Sequence, residues 1–198
     1  DYAVEGHAVH LECDVAAPET VTPRTVPVTL EVHGPRTFEF ELRANPEVDA
    51  EREYPPLDTD AIGEDADFDA TETEEALIVE TGALDITIGL DEWSFAVADA
   101  ETGETVFEEQ RSDPDVFGRQ RAEALGFTQE EINHNPRRIA EAGTAFRLSP
   151  DEKIYGAGEQ FVEFDRRGRE LDLWHEEPLG TETERAYKNI PFHLSTNG

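Results

Sequence analysis

Basic residues, sulfur and long apolar runs are what this 198-residue chain has least of. Lysine occurs only as Lys153 and Lys188, and Lys plus Arg total 16 against 47 Asp plus Glu, for a formal net charge of −31. Phosphate neutralisation needs clustered cations, so this charge excludes nucleic acid as a partner and argues against an anionic membrane surface. Cys13 is the single cysteine, which excludes an internal disulfide and fits a reducing, cytoplasmic location. No apolar run approaches the roughly 20 residues of a membrane-spanning helix. The chain starts at Asp1 and contains no methionine. A trimmed start is therefore expected, and the lack of a visible signal peptide carries little weight. His7, His10, His33, His134, His175 and His193 are scattered without metal-ligand spacing. Gly156-Ala157-Gly158 lacks the third glycine and the following helix of a phosphate-binding loop. Neither a metal nor an organic cofactor is expected.

What is abundant is acid, spread along the whole chain rather than gathered in a tail. Aromatic residues make up 9% of the chain, which argues against disorder. In ~1 M salt the Debye length is about 3 Å, so carboxylate repulsion is nearly silenced. An acid-rich, lysine-poor composition therefore reads as that of a halophile's protein; the alternative is a merely acidic mesophilic domain.

The length suffices for one large all-β domain or two small ones. Ala8–Cys13, Val26–Val32 and Thr37–Leu42 alternate apolar and polar residues, with a hairpin turn at Gly34-Pro35. Residues 44–75 are mostly acidic and small and read as a solvated loop, without the ligand spacing of a calcium loop. Strands return at 76–79, 84–88, 94–97 and 105–107, separated by turn residues as in a sandwich meander. Residues 111–143 read as an irregular excursion. Phe117–Leu125 suits a short helix, and Thr128 with Glu131 has capping-box spacing before a stop at Asn135-Pro136. Ala145–Leu148 reads as strand again. The expected fold is all-β, a two-sheet antiparallel β-sandwich formed by residues 1–198 as a single domain.

The densest stretch lies near the end. It runs through Tyr155-Gly156-Ala157-Gly158-Glu159-Gln160-Phe161, Phe164-Asp165-Arg166-Arg167-Gly168, Trp174, residues 180–187 and Lys188-Asn189-Ile190-Pro191-Phe192. Two glycines flanking one residue suit a strand end where the backbone turns or approaches a neighbour closely. Gly168 suits a left-handed turn position. Tyr155, Phe161, Phe164, Trp174, Tyr187 and Phe192 read either as strand core or as flat faces for sugar rings. Arg166 and Arg167 are expected to pair with nearby acids, and Lys188 with a backbone or acid partner.

In order and spacing this stretch, about forty residues, resembles the N-terminal domain of family 31 glycoside hydrolases, most closely the α-xylosidase and α-glucosidase members. The resemblance implies a galactose-mutarotase-like β-sandwich packed on a catalytic (β/α)8 barrel that lies beyond Gly198. It also implies a parent enzyme that cleaves terminal α-linked xylose or glucose with retention. Both catalytic carboxylates would come from the barrel, so no catalytic residue is assigned here and the fragment alone is expected to be inactive. The partners implied are the protein's own barrel, an oligosaccharide ending in α-xylose or α-glucose, and in some settings a second copy of the chain. Family members use a loop of this domain at the leaving-group subsite, and the matching stretch is Trp174–Thr181. The candidate substrate-binding residues are Glu177, Trp174 and His175. Family members commonly carry Asp where this chain has Glu177, one methylene longer. A carboxylate suits sugar hydroxyls because charge-assisted hydrogen bonds are the stronger ones; the competing reading is a solvated acid. Trp174 also reads as a packing anchor and His175 as a loop surface residue. The alternative function is a stand-alone carbohydrate-binding or oligomerisation module without catalysis.

Overall fold

A computed structural model describes residues 2–15, 24–43, 66–110, 126–131, 138–177 and 186–197. Among these residues every regular element is a strand, and no helix is long and apolar enough to cross a membrane. The chain divides into two compact units, Asp1–Arg147 and Leu148–Gly198.

In the first unit, alternation builds two antiparallel sheets. One contains β1 (Tyr2–Glu5), β2 (Ala8–Val15), β3 (Arg24–Gly34) and β4 (Thr37–Leu42), side by side in chain order. The other is a meander of β5 (Asp69–Glu72), β6 (Ala76–Glu80), β7 (Leu84–Gly89), β8 (Phe95–Asp99) and β9 (Thr105–Glu108). Register carries the apolar set of each strand onto one face. Val9 lies opposite Leu30 and Leu11 opposite Val28, while Ile86 lies between Val79 and Val97. The two inner faces meet in one buried cluster: Val9, Leu11, Val28, Leu30 and Val32 against Leu77, Val79, Leu84, Ile86, Ile88, Phe95 and Val97. The intervening His10, Glu12 and Glu31 are exposed. The described part of the chain is thus all-β, and the first unit is built on a two-sheet antiparallel sandwich.

Burial holds this unit together. Each such aliphatic side chain contributes about 1.5–3 kcal/mol over leaving it exposed. The Arg36–Asp99 ion pair, at 3.0 Å with an exposed arginine, adds little beside this burial because solvent screens it. Phe40 closes one side of the core, with its ring 5.1 Å from Phe95 and 5.7 Å from Trp93. The buried Thr81 hydroxyl donates to the Pro35 carbonyl at 2.6 Å, joining the turns of opposite sheets. The hairpin at Gly34-Pro35 forms as the sequence indicates, with a register irregularity between Val32 and Gly34.

Three local readings change. Residues 44–65 of the acidic stretch lie outside the described residues, but Asp69–Glu72 is strand β5, paired with β6. Phe68 and Ala70 pack on the core, and that is enough to recruit an otherwise acidic edge strand. The capping-box reading at Thr128 is also replaced. Gly126–Glu131 forms β10 and pairs with β11 (Arg138–Gly143), with Thr128 opposite Glu141. One cap is worth about 1 kcal/mol, and a six-residue ladder satisfies more of the backbone than one turn of helix. Phe117–Leu125 lies outside the described residues. Finally, Ala145–Leu148 is not a named strand. It extends β9 through a Glu109–Phe146 bridge and a 2.7 Å bond from Gln110 N–H to the Ala145 carbonyl.

Candidate functional site

The second unit carries the motif-rich stretch, and backbone geometry explains its glycines. Strand β12 (Ile154–Gly156) pairs antiparallel with β13 (His193–Ser195), Tyr155 opposite Leu194. Gly156, Ala157 and Gly158 then take φ of 117°, 67° and 81°. A Cβ on Gly156 would stand 2.3 Å from the Phe192 carbonyl oxygen, and one on Gly158 2.1 Å from that of Lys188. Only glycine permits both the left-handed turn and so close a backbone approach. The loop is hydrogen-bonded where it touches: Ala157 N–H donates to the Phe192 carbonyl at 2.7 Å, and Glu159 N–H to that of Lys188 at 2.9 Å. Both features expected at the glycine pair, the turn and the close approach, are present.

The following turn is held by side chains bonded to backbone. Arg166 donates to the carbonyls of Gly156, Val162 and Glu163. Arg167 donates to those of Ser149 and Glu152 at 2.6 Å each. Among the described residues this pair hydrogen-bonds to carbonyls that the irregular chain leaves available, and the Arg167 charge also acts on the carboxylate of Glu152. Gly168 has φ of 73°, as its turn position requires. The buried Glu152 carboxylate accepts from the Ser195 hydroxyl and from Ser149 N–H. The Ser195 bond first, then the Ser149 bond and the Arg167 charge, hold this carboxyl below the usual glutamate range. Lys188 finds an acid, Glu159, at 3.2 Å.

Trp174, His175 and Glu177 lie on one segment, which meets residue 186 through a parallel bridge, His175 to Ala186, and a 3.3 Å bond from Glu176 N–H to the Ala186 carbonyl. The His175 ring nitrogen Nε2 donates to the Asn189 carbonyl at 3.2 Å, although the residue is exposed. Glu177 is exposed. Trp174 is 73% exposed, so it anchors no packing within this chain. Phe164 is 78% exposed, Phe192 62% and Tyr187 61%, so these are not core either, whereas Tyr155 is half-buried with its ring 4.9 Å from that of Phe164. Residues 178–181 of the expected loop lie outside the described residues.

Sequence reasoning did not single out Asn189, Gln160 or Glu152. Asn189 is buried, and its Nδ2 donates to the Trp174 carbonyl at 2.8 Å and to the Ala186 carbonyl at 3.0 Å. Its Oδ1 accepts from Gln160 Nε2. A polar residue amid exposed apolar neighbours at 187–192 was the available signal. Glu152 had none, being one acid among many. Among the described residues no cluster of His, Cys, Asp and Glu is arranged to hold a metal ion.

The second unit thus holds exposed rings at Phe164, Trp174, Tyr187 and Phe192 and a polar segment tied by side-chain hydrogen bonds at Asn189. Residues 27–198 match the family described as the glycosyl hydrolase 31 N-terminal galactose mutarotase-like domain, and the chain belongs to that family. It is 54% identical over 48 residues to α-xylosidase XylQ of Lactiplantibacillus pentosus, a stretch covering 24% of this chain and 6% of that protein. It is 51% identical over 51 residues to an α-xylosidase of Emericella nidulans, covering 26% of this chain and 6% of that one. Among solved structures, a cycloalternan-forming enzyme from Listeria monocytogenes in complex with a pentasaccharide substrate superposes with a TM-score of 0.70 at 19% identity. That match covers all of this chain and 16% of the other. The chain therefore corresponds to a small part of the length of the proteins it resembles.

Proposed function

We propose that this chain is the non-catalytic N-terminal domain of a retaining α-glycosidase acting on terminal α-xylose or α-glucose. It packs on a catalytic barrel and lends the segment from Trp174 to the leaving-group sugar subsite. Membership of the glycosyl hydrolase 31 N-terminal family supports the placement, and the α-xylosidase relatives support the substrate class. The observation that carries the subsite reading is the exposure of Trp174 and Glu177 on a segment tied down at Asn189. Exposed ring faces suit sugar C–H surfaces, and an exposed carboxylate suits hydroxyls. The same rings would also serve a stand-alone glycan-binding module. Tight glycan binding by the 198-residue chain alone would favour that second reading.

Glu177→Ala in the full-length enzyme tests the proposal. Losing a hydrogen bond to a charged group costs about 1.5–3 kcal/mol. That is about ten- to a hundredfold in kcat/KM on natural disaccharides. An aryl glycoside, whose leaving group offers no matching hydroxyls, should be affected little. The neighbouring carboxylate variant Glu176→Ala is the comparison. Equal losses in both variants, or equal losses on both substrates, would show that Glu177 is a solvated acid.

A further inference from the structure

We propose that Asn189 is a positioning residue, whose buried carboxamide sets the course of residues 174–177 and so the presentation of their side chains to a sugar. This rests on reading that segment as part of a leaving-group subsite. Asn189 joins Trp174 and Gln160, fifteen and twenty-nine residues away, to its own turn: its Nδ2 donates to the carbonyls of Trp174 and nearby Ala186, and its Oδ1 accepts a hydrogen bond from Gln160 on the glycine loop. Its own carbonyl accepts from the His175 ring. The 174–177 backbone meets residue 186 through the His175–Ala186 bridge and a 3.3 Å bond from Glu176 N–H, and the Asn189 carboxamide binds at the same place, so it and the backbone hold the segment together. Side-chain hydrogen bonds of this kind set how readily a segment opens locally.

The chemistry at position 189 is restrictive. Two carbonyls must be met by two N–H donors from one group, and a third partner, Gln160, must find an acceptor on that same group. A carboxamide supplies both ends within one planar unit. Aspartate has no donor, serine has one and an aliphatic residue has none. Gln160 also fixes the orientation, because its Nε2–H faces Oδ1 and so turns Nδ2 toward the carbonyls. In a buried site an unmet carbonyl costs its full desolvation, so losing the donors favours release of the 174–177 segment into water.

The test uses the full-length enzyme with Asn189→Asp, which keeps size and removes both donors, and Gln160→Glu, which removes the orienting donor. Hydrogen exchange of peptides covering 174–177 reads the segment, and kinetics on a natural disaccharide and an aryl glycoside read the subsite. Asn189→Asp should speed exchange in 174–177. It should raise KM for the disaccharide by about tenfold, the loss expected for one misplaced hydrogen bond, while kcat and the aryl glycoside change little. Gln160→Glu should do the same more weakly. A merely structural role would lower thermal stability and reduce activity on both substrates alike, and that result overturns the proposal. So does unchanged exchange at 174–177. If Asn189→Asp does not fold, Gln160→Glu decides by the same two readings. If Glu177→Ala leaves the substrate ratio intact while Asn189→Asp changes it, the role of Glu177 fails and the positioning role of Asn189 stands.

Discussion

Gly158→Ala probes the close approach on which the second unit is built. At φ of 81° an L-residue costs about 1–2 kcal/mol by the crowding of its Cβ against the following carbonyl. The new methyl would also stand 2.1 Å from the Lys188 carbonyl oxygen and 2.9 Å from Ile190 N. Neither neighbour is a flexible side-chain tip, so the backbone must move, at a further cost of about 1–3 kcal/mol. Together these predict a loss of about 2–5 kcal/mol. Gly168→Ala is the internal comparison. Its φ is 73°, but nothing lies within 4 Å of the added methyl, so only the backbone term of about 1–2 kcal/mol applies. Hydrogen exchange of peptides covering residues 154–160 and 188–195, followed across a urea series, reports on the stability of the second unit. Equal losses for Gly158→Ala and Gly168→Ala would mean that the loop does not press on residues 188–190, and the account of the glycine pair would be wrong.

A composition with net charge −31 predicts that thermal stability rises from dilute buffer to molar KCl, as screening relieves self-repulsion; a melting temperature insensitive to KCl refutes the halophile reading. Glu152 is held below its ordinary range, chiefly by the Ser195 hydroxyl. Its contribution is therefore present above the unfolded value of about 4.3 and is lost as pH falls through the lower folded value. Glu152→Gln should accordingly be less stable than the parent at neutral pH, and the two should converge in acid. A stability gap that stays constant down to the acid limit would remove Glu152 from that role.

The strands from Ala76 to Glu108 and those at Ala8–Val15, Arg24–Gly34 and Thr37–Leu42 were legible because each needs one buried face, and burial imposes a period of two on the residues. Strands β1 and β5 were not. Tyr2–Glu5 and Asp69–Glu72 are only four residues each, too short to show alternation, and it is the neighbouring strand that recruits them. The hairpin of β10 and β11 was misread for the same reason, since Thr128 and Glu131 can serve a cap until a partner strand supplies the hydrogen bonds.

Residue identity by itself determined the sandwich class, the family and the need for glycine at 156, 158 and 168, because periodicity, turn chemistry and the ordered motif from 155 to 192 are properties of the chain read in one dimension. It also marked Trp174, His175 and Glu177 as the stretch to watch. Only the tertiary structure decided what those residues rest on. Asn189 is a motif residue without a role of its own until folding brings residues 160 and 174 to its carboxamide, beside residue 186. Glu152 is one acid among many until Ser149 and Ser195 close on it. Hydrogen bonds between residues fifteen to forty-three positions apart leave no periodic trace in the sequence, because they depend on where the chain returns and not on what precedes or follows each residue.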